Sequence, residues 1–187
     1  SNLMDEFSKG KEHTPYAMLR QENGPHVIND PAFVKCIKFS QPDVVIHCAA
    51  LADVERCQSH PNEAAEAHLT GTKNIVENLD PACRLIHIST DMVYHGLGPH
   101  KEEDAARDYP PDNTYGISKF HAEEIVHRHQ NHMILRVNFF GYQKGLARWI
   151  IDSLEQKKEI NLYYDMMFSP LHVKTLSKII RTLTEAT

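Results

Sequence analysis

A doubly wound α/β fold built on a parallel sheet is what this sequence predicts, and three observations predict it. Continuous apolar, β-branched runs occur at 42–50 (PDVVIHCAA), 84–89 (RLIHIS) and 132–140 (HMILRVNFF), the pattern of strands buried on both faces. Helical stretches of about 10 to 18 residues separate them, as right-handed crossovers between parallel strands require. Polar clusters stand at the ends of the apolar runs, where such sheets place their ligands. The 187 residues, 41% apolar and 24% charged with a net charge of -5, suffice for one core of ordinary size with a small appendage. They exclude a disordered tail or a solenoid array.

In chain order, residues 2–9 set Leu3, Met4 and Phe7 at helical spacing and run into Gly10, which marks a helix end. Short apolar strands are expected at 14–19 and 25–30, then a helix at 32–39 that stops before Pro42. The 42–50 strand leads to a helix at 61–78, the 84–89 strand, a polar loop at 100–113 and a helix at 114–130. The 132–140 strand, a helix at 147–156 and an amphipathic helix at 173–186 complete the alternation. Trp149, Ile150, Ile151 and Leu154 read as a core-facing stripe.

Charge and composition narrow the function. With 20 Lys and Arg scattered among 25 Asp and Glu, there is no basic stripe for nucleic acid or an anionic membrane. Cys36, Cys48, Cys57 and Cys83 form no CxxC pair and sit in or beside apolar runs, which suits free thiols in a reducing compartment. No apolar stretch approaches the ~20 residues of a membrane span, and SNLMDEFSKGKEH lacks the apolar middle of a leader, so a cytoplasmic location is expected. Among the 13 histidines, His127, His129 and His132 lack the i, i+4 pairing of a zinc helix; they read as a solvated helix end, and no metal site is expected.

Three segments at consecutive strand ends carry chemistry. After the first core strand, Cys48, Ala49 and Ala50 leave room for a flat ligand against the backbone; tight packing of a helix on a strand gives the same pattern. The second ends in Ser89, Thr90 and Asp91, which either face the crevice or form a cap or turn. In YGISK, the four-residue spacing puts Tyr115 and Lys119 on one helix face. A lysine ammonium beside a phenol pulls its pKa down from ~10, so that the phenol can give or take a proton at a carbinol oxygen. YxxxK alone is a weak motif. Its place in the order is specific: Tyr115 lies 25 residues beyond Thr90, and a third apolar strand carrying Arg136 follows.

HCAA, STDMVY, the acidic loop KEEDAARDYPPDNTYGISK and ILRVNFFG resemble the extended short-chain dehydrogenase/reductase family, in its dTDP-4-dehydrorhamnose reductase branch of nucleotide-sugar enzymes. The resemblance covers almost the whole chain, from Ser1 through FSPLHVKTLSKII. It implies a Rossmann-like dinucleotide-binding domain over 1–160, the start of a substrate lobe at 161–187, and NAD(P)H-dependent reduction of a 4-keto nucleotide sugar. By the same resemblance Thr90 bonds the substrate carbonyl or hydroxyl, and Tyr115 is the general acid. Lys119 lowers the tyrosine pKa and holds the nicotinamide ribose, with the cofactor lying across Cys48, Ala49 and Ala50. Epimerases and dehydratases share this fold; a dehydratase is expected to carry further acids beside the threonine, and Met92 is not one. The regulatory β subunit of methionine adenosyltransferase is similar to the same branch, so a non-catalytic dinucleotide-binding subunit is the alternative from another class. A homodimer paired through two helices is a further implication.

Cofactor choice follows from the second strand, which ends in Leu19, Arg20 and Gln21 rather than in an acid for a ribose 2′-hydroxyl. Arg20 suits a 2′-phosphate and favours NADP(H) over NAD(H), unless it is a solvated arginine; Ile28 is also expected at the cofactor. The eight glycines write no GxGxxG, GxxGxxG or GxxxxGK. The interval from Ser1 to Asp43 is the one expected if Ser1 follows the last glycine of the family's phosphate loop, so the sequence reads as a piece of a longer protein, short at both ends. Two positions depart from the family pattern. His68 stands where it has Asn, which is expected to loosen an active-site hydrogen bond, and His95 stands where an acid often precedes Gly96, which alters a loop.

Overall fold

The computed structural model describes residues 2–9, 14–15, 31–95, 108–143, 145–162 and 169–186. Most of the strand expected at 14–19, all of that at 25–30, Arg20 and Ile28 lie outside the described residues. In chain order the elements are α1 (Asn2–Phe7), α2 (Pro31–Ser40), β1 (Val44–His47), α3 (Val54–Ser59), α4 (Pro61–Ala65), a π-turn (Glu66–Thr70) and α5 (Gly71–Val76). After them come β2 (Arg84–Ser89), a 3₁₀ turn (Asp91–Val93), α6 (Thr114–Val126), β3 (His132–Arg136) and β4 (Phe139–Phe140). α7 (Leu146–Glu155), β5 (Leu171–His172) and α8 (Val173–Glu185) close the order.

The chain divides into two compact units, Met18–Arg136 and the pair of segments Ser1–Ala17 with Val137–Thr187. In Met18–Arg136 the three apolar runs become one parallel sheet ordered β1-β2-β3, with Val45 opposite Leu85, His47 opposite His87, and Ser89 opposite Arg136. The expected α/β class is the observed one. α2 ends at Gln41, whose φ of 42° is left-handed, with Pro42 next to stop the helix. Phe33 and Ile37 of α2, Ile75, Leu79, Cys83, Leu85 and Val126 make the main core.

Three expected elements differ in continuity or extent. The helix at 61–78 is interrupted by the π-turn, and α3 precedes it, capped by Asp53 and stopped before Pro61. The helix at 114–130 ends at Val126. Its expected solvated end holds a buried residue: His129 Nε2 bonds Cys83 O at 2.7 Å, because the turn after α6 folds back on the start of β2. The run at 132–140 splits after Arg136, and Phe139–Phe140 pairs with Leu171–His172 in a separate two-stranded sheet.

In the other unit α1 packs on α8. Phe7, Leu176 and Ile180 are buried, and Arg181 donates to Glu6 O at 3.2 Å. The stripe expected on α7 is only half realised. Ile150 and Ile151 are half-buried, but Trp149 and Leu154 are 45% and 64% exposed, and the buried position is Ser153. Among the described residues no helix is long and apolar enough to cross a membrane.

Candidate active site

The helix-facing side of the sheet changes character along the strands. Val45 and Leu85 feed the apolar core; two residues further on, the same face carries His47 and His87, and beyond them Ser89 and Arg136. Paired residues of a parallel sheet share a face, so this alternation in register stacks the polar side chains at the carboxyl ends of the strands.

β1 delivers the chain to Cys48 and Ala49, both exposed, Ala50, half-buried, and Leu51, buried. β2 delivers Thr90, buried and extended, which caps the 3₁₀ turn: Met92 N donates to Thr90 Oγ1 at 3.2 Å, and the threonine hydroxyl donates to Asp91 Oδ1 at 3.1 Å. The cap reading of Thr90 is realised in this turn. α6 starts behind Asn113, whose Oδ1 accepts from Gly116 N at 2.8 Å. Gly116 is tight against the Thr90 turn, since a Cβ there would lie 2.3 Å from Met92 O and 2.9 Å from Pro111 Cβ. That close approach of α6 brings Tyr115 to Thr90.

Tyr115 packs on the cluster of Leu51, Cys57, Ala64 and Ala67. Burial raises its pKa above the ordinary phenol value; the side-chain hydrogen bond with Thr90 pulls the other way, while Cys57 and Asp91 add to the rise. The phenol is thus protonated at neutral pH. Lys119, one turn further along α6 and 2% exposed, does not bond to it. The ammonium donates to Ile88 O at 2.8 Å and to His87 Nε2 at 3.1 Å, so the expected ammonium–phenol contact is replaced by contacts with β2. Burial lowers the Lys119 pKa to about 8, against opposing pulls from Glu123 and Cys48.

His68 sits in the π-turn, a form of helix often found at functional positions. Leu51 N can only donate, so His68 Nε2, 3.0 Å away, accepts, and the ring proton is on Nδ1. Nδ1 donates to Ser118 Oγ at 2.7 Å, and Ser118 donates to Tyr115 O at 2.9 Å. The ring also stands edge-on to Tyr115, with centroids 5.7 Å apart. The histidine therefore ties the turn after β1 to the helix that bears the tyrosine, and the loosening expected from sequence is not what the geometry gives. The Thr72 hydroxyl donates to His68 O, so His47 Nε2–H is the donor to Thr72 Oγ1 at 3.0 Å. The rings of His47 and His87 meet tilted by 56°, with centroids 4.8 Å apart; burial first, then Lys119, holds both neutral, His47 at a pKa of about 3.

A second network lies behind the first. Glu123, 2% exposed, accepts from Ser89 Oγ and from Arg136 Nε and Nη2, the last at 2.8 Å. Arg136 also donates to the Tyr94 hydroxyl and lies over its ring, 5.0 Å from the centroid. Sequence reasoning set Arg136 on the third strand without a partner and missed Glu123, His47 and His87. The available signal was histidine at matching positions of two apolar runs, VVIHC and RLIHIS. His95 pairs with Asp112 at 3.1 Å on the surface. Among the described residues no three His, Cys, Asp or Glu side chains are grouped to hold a metal ion.

A parallel sheet whose strand ends bring a threonine to a half-buried tyrosine of a YxxxK helix defines a Rossmann-like protein of the short-chain dehydrogenase/reductase kind. More particularly, the model described as the RmlD substrate binding domain matches residues 2–187, and the chain belongs to that family. The structure of a hypothetical dTDP-4-dehydrorhamnose reductase from Sulfolobus tokodaii superposes with a TM-score of 0.82 at 27% identity, covering 99% of this chain and 69% of that one. The dTDP-4-dehydrorhamnose reductase of Bacillus anthracis, in complex with NADP, superposes at 0.75 with 26% identity, covering 86% of this chain and 59% of that one. Methionine adenosyltransferase 2 subunit beta of Xenopus tropicalis is 29% identical over 165 residues, 83% of this chain and 49% of that protein. The chain spans about half the length of the curated relatives it matches.

Proposed function

We propose that the protein is an NADP(H)-dependent reductase of a 4-keto nucleotide sugar. The observation that carries this reading is the pairing of Thr90 with Tyr115, a half-buried phenol that its surroundings keep protonated. A proton donor for a ketone has to be charged with its proton at working pH, and this one is. The names of the Sulfolobus tokodaii and Bacillus anthracis structures support the substrate class.

The residues present fit the nicotinamide half of a dinucleotide. Ala49 and Ala50 give a floor of methyl groups at a strand end, which a larger side chain would fill, and Cys48 borders it. Bound there, the nicotinamide supplies hydride. Thr90 holds the ketone oxygen, and Tyr115 gives that oxygen its proton. Lys119 supplies positive charge one helical turn behind the phenol and is the residue for the ribose hydroxyls. The preference for NADP(H) over NAD(H) rests on Arg20 and on the NADP complex of the Bacillus anthracis relative. Residues 1–160 as the cofactor part and 161–187 as the start of the substrate part belong to the same proposal, as does a homodimer.

The test is loss of reduced-nicotinamide absorbance when the full-length protein meets NADPH and dTDP-4-dehydrorhamnose. Turnover is expected, with a loss of roughly 10²- to 10⁴-fold in Tyr115→Phe. NADPH binding without turnover overturns the reductase reading. It would favour the second reading, a regulatory subunit, to which the similarity to methionine adenosyltransferase 2 subunit beta points. In that case Tyr115→Phe leaves docking on the partner enzyme unchanged.

A further inference from the structure

Lys119 is a buried cation whose hydrogen bonds go to a backbone carbonyl and a histidine, while Glu123, the carboxylate on its own helix, is taken by Arg136 and Ser89. An ammonium has only protons to give, so His87 Nε2, 3.1 Å from Nζ, presents its lone pair, and the proton of the neutral ring is on Nδ1. Among the described residues His87 Nδ1 is the one buried side-chain nitrogen or oxygen without a hydrogen-bond partner. Leaving a buried donor unpaired is costly, and the opposite tautomer would put a proton against the ammonium instead. We infer that His87 is a positioning residue for Lys119, held in the Nδ1–H tautomer so that its Nε2 anchors the ammonium on β2.

The titratable groups facing Lys119 are His87 from β2, His47 and Cys48 from β1 and the turn after it, and Glu123 from α6 itself; His68 of the π-turn acts on the two strand histidines. Both histidines of the strands are neutral, and among the described residues Nε2 of His87 is the side-chain atom that accepts from the ammonium. Removing that acceptor leaves the charged form less supported and the neutral amine favoured.

The test is nuclear magnetic resonance on the full-length protein labelled in its histidine rings and lysine side chains. The expected His87 pattern is a protonated Nδ1 and a bare Nε2 that persists well below the ordinary histidine pKa. In His87→Phe the Lys119 midpoint should fall by about 1 to 2 pH units, the worth of one hydrogen bond to a charged group, while His87→Gln, which keeps an acceptor, should restore most of it. The alkaline limb of kcat/KM should move with the lysine midpoint. A His87 ring protonated on Nε2, or an unmoved Lys119 midpoint in His87→Phe, overturns the inference; if that variant fails to fold, the wild-type tautomer decides. The consequence for turnover rests on the reductase reading, but the tautomer and the lysine midpoint do not. A shifted lysine in a protein without reductase activity would uphold the positioning role and reject only the activity.

Discussion

Two halves of one sheet face behave differently under the same degree of burial. Leu85 and His87 are 0% and 1% exposed, two residues apart on β2 and pointing the same way. The lower half, Val45 and Leu85 against Phe33, Ile37, Ile75 and Val126, is held by apolar area removed from water. The upper half, His47, His87, Ser89 and Arg136 against Thr72, Lys119 and Glu123, is held by polar groups that replace water for one another. The lower half can lose atoms and leave a cavity. The upper half cannot lose one partner without stranding another.

The largest expected effect therefore comes from Arg136→Met, which leaves Glu123 buried and uncompensated; a stability loss of about 3–5 kcal/mol in urea unfolding is expected. Leu85→Ala should cost about 2–5 kcal/mol, the range of a core truncation, without disturbing Lys119 or Tyr115. The comparison breaks if Arg136→Met is neutral, or if Glu123→Leu with Arg136→Met together cost as much as Arg136→Met alone. Gly116→Ala ranks next. A methyl 2.3 Å from Met92 O must push α6 from the Thr90 turn, so a loss of about 1–3 kcal/mol is expected. Turnover should fall further than stability explains, because Thr90 and Tyr115 separate. Wild-type activity in that variant would mean the close approach is not what pairs them.

The last effect is a slope rather than a fixed loss. His47 has a folded pKa of about 3 against an ordinary value of 6.5, because burial disfavours its charge. Between those values the unfolded chain carries a proton that the folded chain does not, so stability rises with pH through that window and is lost as pH falls. The contribution approaches about 1.4 kcal/mol per pH unit. Urea midpoints measured from pH 7 to pH 4 should flatten in His47→Leu, whereas Leu85→Ala should lower the whole curve without changing its slope.

Much of this was legible in the sequence. Apolar runs located β1, β2 and β3 because strand burial is written in consecutive residues, and the ends of β2 were placed to the residue. Thr90 and Tyr115 were legible because each marks an element end. The orientation of Lys119 was not: a four-residue spacing fixes a shared helix face but not which acceptor a flexible four-carbon side chain selects. The role of His68 was hidden for a similar reason. Its two hydrogen bonds reach residues 17 positions back and 50 positions ahead, and no local pattern encodes such partners. The break after Arg136 was masked because VNFF continues the run in sequence, whereas Phe139–Phe140 pair with Leu171–His172 in a different sheet.

The packing of α1 on α8 sets an order of events during synthesis. Glu6 meets Arg181, 175 positions later, so the first helix leaves the ribosome long before its cover exists. The segments that build β1, β2, β3 and their helices emerge in an uninterrupted stretch and can begin pairing as they appear. Phe7 has to wait, exposed to chaperones and to other nascent chains, until α8 has been made.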